Sequence, residues 1–258
     1  MSQSLELKLT PEVKAALQLG DTCLIHAQRL AEWCGHGPVL EEDIAFSNLA
    51  LDLLGQARAL LTHAGQLHGQ GAGAVLSEDQ LAYLRDERQF FNLTLVEQPM
   101  RRSSAHAPGG DFADAVLRNF LLASWLKQRW KGLVDSGDAQ LAGIAAKALK
   151  ETRYHQQHAA DWVIRLGDGT DESAARMRAA LERNWPYTAE MFAGDAAWSG
   201  LREPWLAEVR AVFEEACLVL PAATAFVSTG CNGLHSEHLG FMLAEMQYLQ
   251  RQHPAGRW

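Results

Sequence analysis

The sequence predicts an all-α protein, a bundle of long antiparallel helices with additional helices toward its C-terminal end. Three observations carry that prediction. Apolar residues recur at three- and four-residue spacing over most of the chain, the period of one helix face. No run alternates β-branched and polar residues as a half-buried strand would. Glycine and proline cluster between the helical patterns instead of marking evenly spaced strands.

The first helix starts at Thr10-Pro11-Glu12, a capping residue followed by proline at the first helical position. It is expected to reach Cys34 and stop at Gly35-His36-Gly37-Pro38. The second runs from about Glu41 to Leu67. Glu41, Glu42 and Asp43 lie in its first turn, where the helix dipole favours negative charge, and Gly69-Gln70-Gly71-Ala72-Gly73 should end it. Ser77-Glu78-Asp79 opens a shorter helix, and Arg85–Pro99 reads as partly helical. Met100–Gly110 has the composition of a loop. A third long helix spans Asp111 to Asp135, and Asp138 caps a fourth that ends at Gly167-Asp168-Gly169. A fifth, Asp171–Phe192, contains Trp185-Pro186 and should kink there. After a loop with Gly194 and Gly200, a sixth covers Pro204–Leu220; a Thr/Gly-rich turn at 228–233 leads to the last, Ser236–Arg251. The tail from His253 should be irregular. Helices of more than about 20 residues joined by short turns pack as antiparallel neighbours, and a single domain over residues 1–258 is expected.

Composition bounds the function. A 258-residue chain with 48% hydrophobic residues can bury one large core or two small ones. The net charge of −8 and the lack of a basic block exclude nucleic acid and anionic membranes as expected partners. No apolar run reaches the length of a membrane span, and the N-terminal residues lack the apolar core of a secretory signal, so a cytoplasmic location is expected. Cys23, Cys34, Cys217 and Cys231 form no CxxC pair, and reduced thiols are the simpler reading.

One stretch departs from ordinary core chemistry. Within Ala142–Leu166, helical spacing puts Leu141, Ile144, Ala148, Glu151, His155, His158 and Trp162 on one face. A carboxylate and two imidazoles thus sit in a stripe that should be apolar, and such groups must be paired, hydrogen-bonded or bound to metal. Long bundles can hold a di-metal site at their centre. The ferritin-like arrangement uses a Glu from each of two helices and a Glu-x-x-His from each of the other two.

Several blocks resemble one family in order along nearly the whole chain. They include Leu30-Ala31-Glu32-Trp33-Cys34-Gly35-His36, Leu51–Arg58, Arg85–Phe90, Val96–Pro99 and Lys150–His155. Arg165–Asp171, Leu234–Gly240 and Leu243–Arg251 continue the series, while Asp195–Arg202 and both termini match least. The chain resembles the C subunits (PaaC) of the bacterial phenylacetyl-CoA epoxidase, a ring-1,2-epoxidising multicomponent oxygenase of the ferritin-like superfamily. The resemblance implies a ferritin-like bundle that supports a homologous catalytic A subunit in a hetero-oligomer. By the same resemblance the A subunit holds the di-iron site and adds one oxygen atom of O2 across the ring. A reductase subunit supplies electrons, and the C subunit has lost its own metal site.

The residues can be checked for that loss. In the second helix the Glu-x-x-His seat reads Leu53-Leu54-Gly55-Gln56; in the fourth it reads Thr152-Arg153-Tyr154-His155, with Glu151 one residue off register. Val116–Trp130 contains no carboxylate, and the first helix offers Glu32. At most one carboxylate and one imidazole then survive, too few to offset two iron ions. Glu32, Asp52, Gln56, Glu151, Thr152 and His155 are therefore read as a vestigial pocket, a buried polar network without metal, cofactor or catalytic residue. Glu151 and His155 can join at i, i+4 and pair with Glu32, while Asp52 and Gln56 can reach across to His155 or Arg58.

Other features receive plain readings. His235-Ser236-Glu237-His238 is metal-like in composition but lacks a third ligand, so Ser236 is expected to cap a helix. Arg85–Arg88 is a charged run, either solvated or a partner surface. Trp198 and Trp258 lie in expected loop and tail, where an exposed ring would mark an interface. No nucleophile with its base, P-loop or dinucleotide fingerprint is present. The leading expectation is a non-catalytic oxygenase subunit. The alternatives are a di-metal oxygenase or oxidase with an unusual ligand set and a self-assembling scaffold.

Overall fold

The computed structural model describes residues 5–72, 74–100, 111–193, 196–223, 225–253 and 256. Its elements are α1 (Pro11–Glu32), α2 (Leu40–Ala72), α3 (Glu78–Tyr83), α4 (Phe112–Leu133), α5 (Ala139–Gly167), α6 (Asp171–Asn184), α7 (Ala196–Ser199), α8 (Arg202–Glu215) and α9 (Glu237–Gln252). Single turns of 3₁₀ helix occupy Glu87–Gln89, Thr94–Val96 and Gly230–Asn232, and a longer one Trp185–Phe192. Among the described residues the only β pairing is an isolated antiparallel bridge between Thr229 and Leu234. The fold is the all-α one predicted, with the long helices of a ferritin-like bundle. No helix of the described residues is long and apolar enough to cross a membrane.

The chain packs as two compact units. The first comprises residues up to Arg29, Ala50–Pro99 and residues from Thr229. Its core includes Leu17, Ile25, Leu60, Leu61, Phe90, Leu93 and Leu95, all fully buried. The Gln247 amide of α9 donates to the carbonyls of Ala82 (3.1 Å) and Arg85 (3.0 Å), tying the last helix to the end of α3. Gly65 and Gly69 do not end α2. A Cβ on Gly65 would overlap the Leu76 carbonyl, and one on Gly69 would lie 2.5 Å from the Val75 side chain. They let the chain double back closely, and α2 continues to Ala72, past its expected end at Leu67. A glycine inside a helix costs only about 1 kcal/mol, which packing offsets.

The second unit comprises Leu30–Leu49 and Met100–Ser228. At the turn between α1 and α2, Asp43 accepts from the backbone N–H groups of Gly35 (2.8 Å), His36 (3.2 Å) and Gly37 (3.1 Å). The Gly35 and Gly37 donors hold its carboxyl below the usual range. Helices α4 and α5 form an antiparallel hairpin, with Lys127 bonded to Gln156 (3.1 Å) and Trp130 to Thr152 (3.1 Å). Their N-termini are set by Asp111, which accepts from Ala113 N–H, and by Asp138, which accepts from Gln140 and Leu141 N–H. The expected kink at Trp185-Pro186 is a change of helix type: α6 ends at Asn184 and 3₁₀ geometry follows. Helix α8 stops at Glu215, short of the expected Leu220. Cys217 takes a left-handed φ of 54°, and Leu218 N–H closes back onto the Phe213 carbonyl at 2.9 Å. Of the expected loop Met100–Gly110, residues 101–110 lie outside the described residues, as does Trp258.

Candidate functional site

The fourth long helix carries the residues that first suggested chemistry. Its most buried line in α5 is Ala148, Thr152, His155, Ala159 and Val163, one residue round from the face expected from Glu151. Thr152 is fully buried, and its hydroxyl accepts from the Trp130 indole N–H at 3.1 Å. Glu151 sits at the edge of the stripe, 3.6 Å from the Lys147 ammonium. His155 is buried, as expected. His158 has a partner that the sequence did not suggest: its Nε2 lies 2.9 Å from Glu42 Oε2, with the ring edge-on to Phe46.

In α2, the other half of the motif, Leu53 is buried and Leu54 is exposed. Gln56 is buried, and its carbonyl oxygen lies 3.7 Å from the Cys23 thiol, which donates to it. Asp52 is half-buried. Arg58, expected beside Asp52 and Gln56, meets Glu78 at 3.2 Å instead. Glu32 requires a correction: it is exposed, not part of a buried network. It is the last residue of α1, and the chain turns away beyond it through Gly35 at φ 82°.

These side chains do not fit two divalent ions. Of the positions read from the sequence as Glu-x-x-His seats, Leu53 carries no ligating group, Gln56 an amide, and Thr152 a hydroxyl that accepts from Trp130. Among the described residues, no group of three or more His, Cys, Asp and Glu is arranged to hold a metal.

The most polar buried cluster lies elsewhere, in the first unit. Glu97 Oε1 accepts from Asn92 Nδ2 (2.9 Å) and His235 Nδ1 (2.6 Å), and Oε2 accepts from the Ser236 N–H (2.8 Å) and hydroxyl (2.7 Å). The Glu97 carbonyl accepts from Arg29 through Nε (3.0 Å) and Nη2 (2.6 Å). The other His235 nitrogen faces the Phe90 carbonyl at 2.8 Å. Both ring nitrogens therefore face acceptors, which suits the doubly protonated ring. Burial lowers the His235 pKa, but the Glu97 hydrogen bond and charge, the Phe90 carbonyl and the field of Asp21 outweigh it, and the net shift is upward. Ser236 is the N-cap of α9 by position, yet its side chain makes no cap bond and turns to Glu97. The His235–His238 segment is thus a structural clamp. Its signal was the Val96-Glu97-Gln98-Pro99 block, which pattern alone could not connect to residues over a hundred positions away.

Arg85 also departs from expectation. It is fully buried, forms an ion pair with Asp21 and lies over the Phe90 ring at 4.1 Å; only Asp86, Glu87 and Arg88 of that run are exposed. Trp198 is buried against Trp125 with the Arg129 guanidinium over it, so it marks no interface. Cys23, Cys34, Cys217 and Cys231 form no disulfide with one another.

An all-α protein of long helices is the class that the fold defines. The chain belongs to the phenylacetic acid catabolic protein family, whose sequence model matches residues 2–258. It is 47% identical over 254 residues to the C subunit of the 1,2-phenylacetyl-CoA epoxidase of Escherichia coli (strain K12), covering 94% of this chain and 97% of that protein. The family read from the blocks between Leu30 and Arg251 is therefore the one to which the chain belongs.

Proposed function

We propose that this chain is a non-catalytic structural subunit of a multicomponent di-iron oxygenase that acts on phenylacetyl-CoA in aerobic phenylacetate degradation. It pairs with a homologous catalytic A subunit and stabilises it in a cytoplasmic hetero-oligomer, to which a reductase subunit also belongs. The iron sits in the A subunit and supplies the oxygen chemistry there. This chain contributes a rigid helical body.

The observation that carries the reading is the chemistry at the ligand positions. Leu53 cannot ligate, and the Thr152 hydroxyl is already bonded to the Trp130 indole. A buried threonine with a satisfied hydroxyl fills a ligand position with packing instead of negative charge. Two ferrous ions would bring about four positive charges that these positions cannot offset.

Metal content separates this reading from an enzyme with an unusual ligand set. The isolated chain and the chain co-purified with its catalytic homologue should be prepared anaerobically, loaded with ferrous iron and assayed for iron and substrate oxidation. The expected result is no stoichiometric iron and no turnover for the isolated chain, with both appearing in the complex. Two irons per isolated chain, or oxygen consumption by it, would overturn the proposal.

A further inference from the structure

The second unit contains a cavity of about 400 Å³ that none of the polar positions above explains. It lies among the 3₁₀ helix Trp185–Phe192, the first turns of α8 and the segment Leu220–Pro221. Its size falls within the usual range for small-molecule sites. The lining is divided by chemistry. Trp185, Phe192 and Trp205 pack together on one side, with Phe192 and Trp205 centroids 5.1 Å apart and Trp185 and Trp205 centroids 5.8 Å apart; Phe192 is the half-buried ring of the three, while Trp185 and Trp205 are 8% and 1% exposed.

The polar handles of this wall are directed to other partners. The Trp205 indole N–H donates to the Leu121 carbonyl at 3.0 Å, which fixes that ring. The Thr188 hydroxyl, also in the lining, donates to the Trp185 carbonyl at 2.7 Å. The charged groups that remain are both cations, Arg202 and Arg210, and no carboxylate is among the lining residues described. Arg202 has only its sequence neighbour Glu203, at 3.5 Å with both side chains largely exposed. Arg210 is exposed, with no ion-pair partner among the described residues. In a chain of net charge −8, two arginines beside this cavity, with no acid among its described lining residues, make a local anion-attracting site.

We propose that this cavity binds a small aromatic carboxylate, its ring against Phe192 and its carboxylate facing Arg202 and Arg210. Guanidinium groups match carboxylates in geometry, and Phe192 supplies the aromatic surface. A cavity of this size takes one ring and a short acidic arm; a whole coenzyme A thioester is far larger. The site is therefore separate from the chemistry proposed for the catalytic partner, and it does not depend on that proposal.

The test is calorimetric titration of the full-length chain with phenylacetate as the probe, with phenylacetamide and acetate as comparators. The expected result is one saturable site with Kd on the order of 0.1–1 mM, the range open to a ligand of this size. Phenylacetamide, which keeps the ring and loses the charge, should bind at least about tenfold more weakly, and acetate should show no saturation. The double variant R202Q/R210Q changes only exposed groups and should weaken phenylacetate by about tenfold or more. A189F, which fills the cavity from its own wall, should abolish binding while leaving the circular dichroism spectrum unchanged. Absence of saturation up to roughly 10 mM phenylacetate would overturn the proposal, since affinity that weak is no better than non-specific contact. Undiminished binding in R202Q/R210Q and A189F would also overturn it, because the ligand would then sit elsewhere. Iron content and oxygenase turnover do not enter this test, so its failure would leave the reading as a structural oxygenase subunit standing.

Discussion

Replacing Glu97 with glutamine should destabilise the first unit more than any exposed substitution and should change how its stability depends on pH. The carboxylate is fully buried, accepts four hydrogen bonds and faces a His235 side chain that is 1% exposed. Glutamine keeps the shape but removes the charge, and it points an NH2 group at donors that the second oxygen now accepts. Removing one partner of a buried pair costs about 3–5 kcal/mol. At about 2–4 °C per kcal/mol for a chain of this size, the unfolding midpoint should fall by roughly 6–20 °C. The pH dependence follows from the raised pKa of His235. A group whose pKa is higher folded than unfolded contributes fully below its unfolded value, here near 6.5, and loses that contribution as pH rises through the folded value. The native chain should therefore lose stability as pH rises above about 6.5. The variant, whose His235 no longer has its counter-ion, should lose less over the same interval. Thermal unfolding at a series of pH values, with hydrogen exchange followed at residues 90–97 and 235–239, measures both effects. A midpoint drop worth less than about 1 kcal/mol, or an unchanged alkaline slope in the variant, would refute the clamp as argued.

Two further substitutions address the remaining buried polar groups. Thr152→Val leaves the Trp130 indole N–H buried without its acceptor and should cost about 1–3 kcal/mol in urea unfolding, whereas Thr152→Ser, which keeps the hydroxyl, should cost less. Arg85→Met strands Asp21, which is fully buried and otherwise accepts from the Phe91 N–H at 2.9 Å, and should cost about 3–5 kcal/mol. Adding Asp21→Asn to Arg85→Met should recover part of that loss, and a double-mutant cycle would read the recovery as coupling.

Much of this architecture was legible because local chemistry and helical period agree. Ser77, Asp111, Asp138 and Thr170 each accept from backbone N–H groups at the start of a helix. The boundaries that differ are those where tertiary contacts decide. Gly65 and Gly69 look like helix breakers in sequence, but in the fold they are places of close approach. Helix α8 ends at a left-handed Cys217, a conformation that glycine usually signals, so no local cue marked it. Arg85 stood within a charged run, and nothing nearby in sequence showed that Asp21 would bury it.

The same distinction explains which candidate site residues kept their expected surroundings. Helical period placed His155 in the core, and it is buried, whereas Thr152, on no face the period marked, is buried in place of Glu151. Glu32 failed because its position depends on where α1 ends, and helix ends are the least certain feature of a periodic pattern. His235 and Glu97 illustrate the opposite case. Each has a local sequence context that suggests something else, a metal-like composition for one and a partly helical segment for the other. Their pairing at 2.6 Å is a product of topology, which returns the chain to residues 90–97 only at the start of α9. A densely bonded buried polar group of this fold thus lies away from the positions singled out in the sequence. It is where a loop must be fastened to a helix end, and there a buried carboxylate does what an apolar contact could not: it satisfies Asn92, His235 and the backbone and hydroxyl of Ser236 at once.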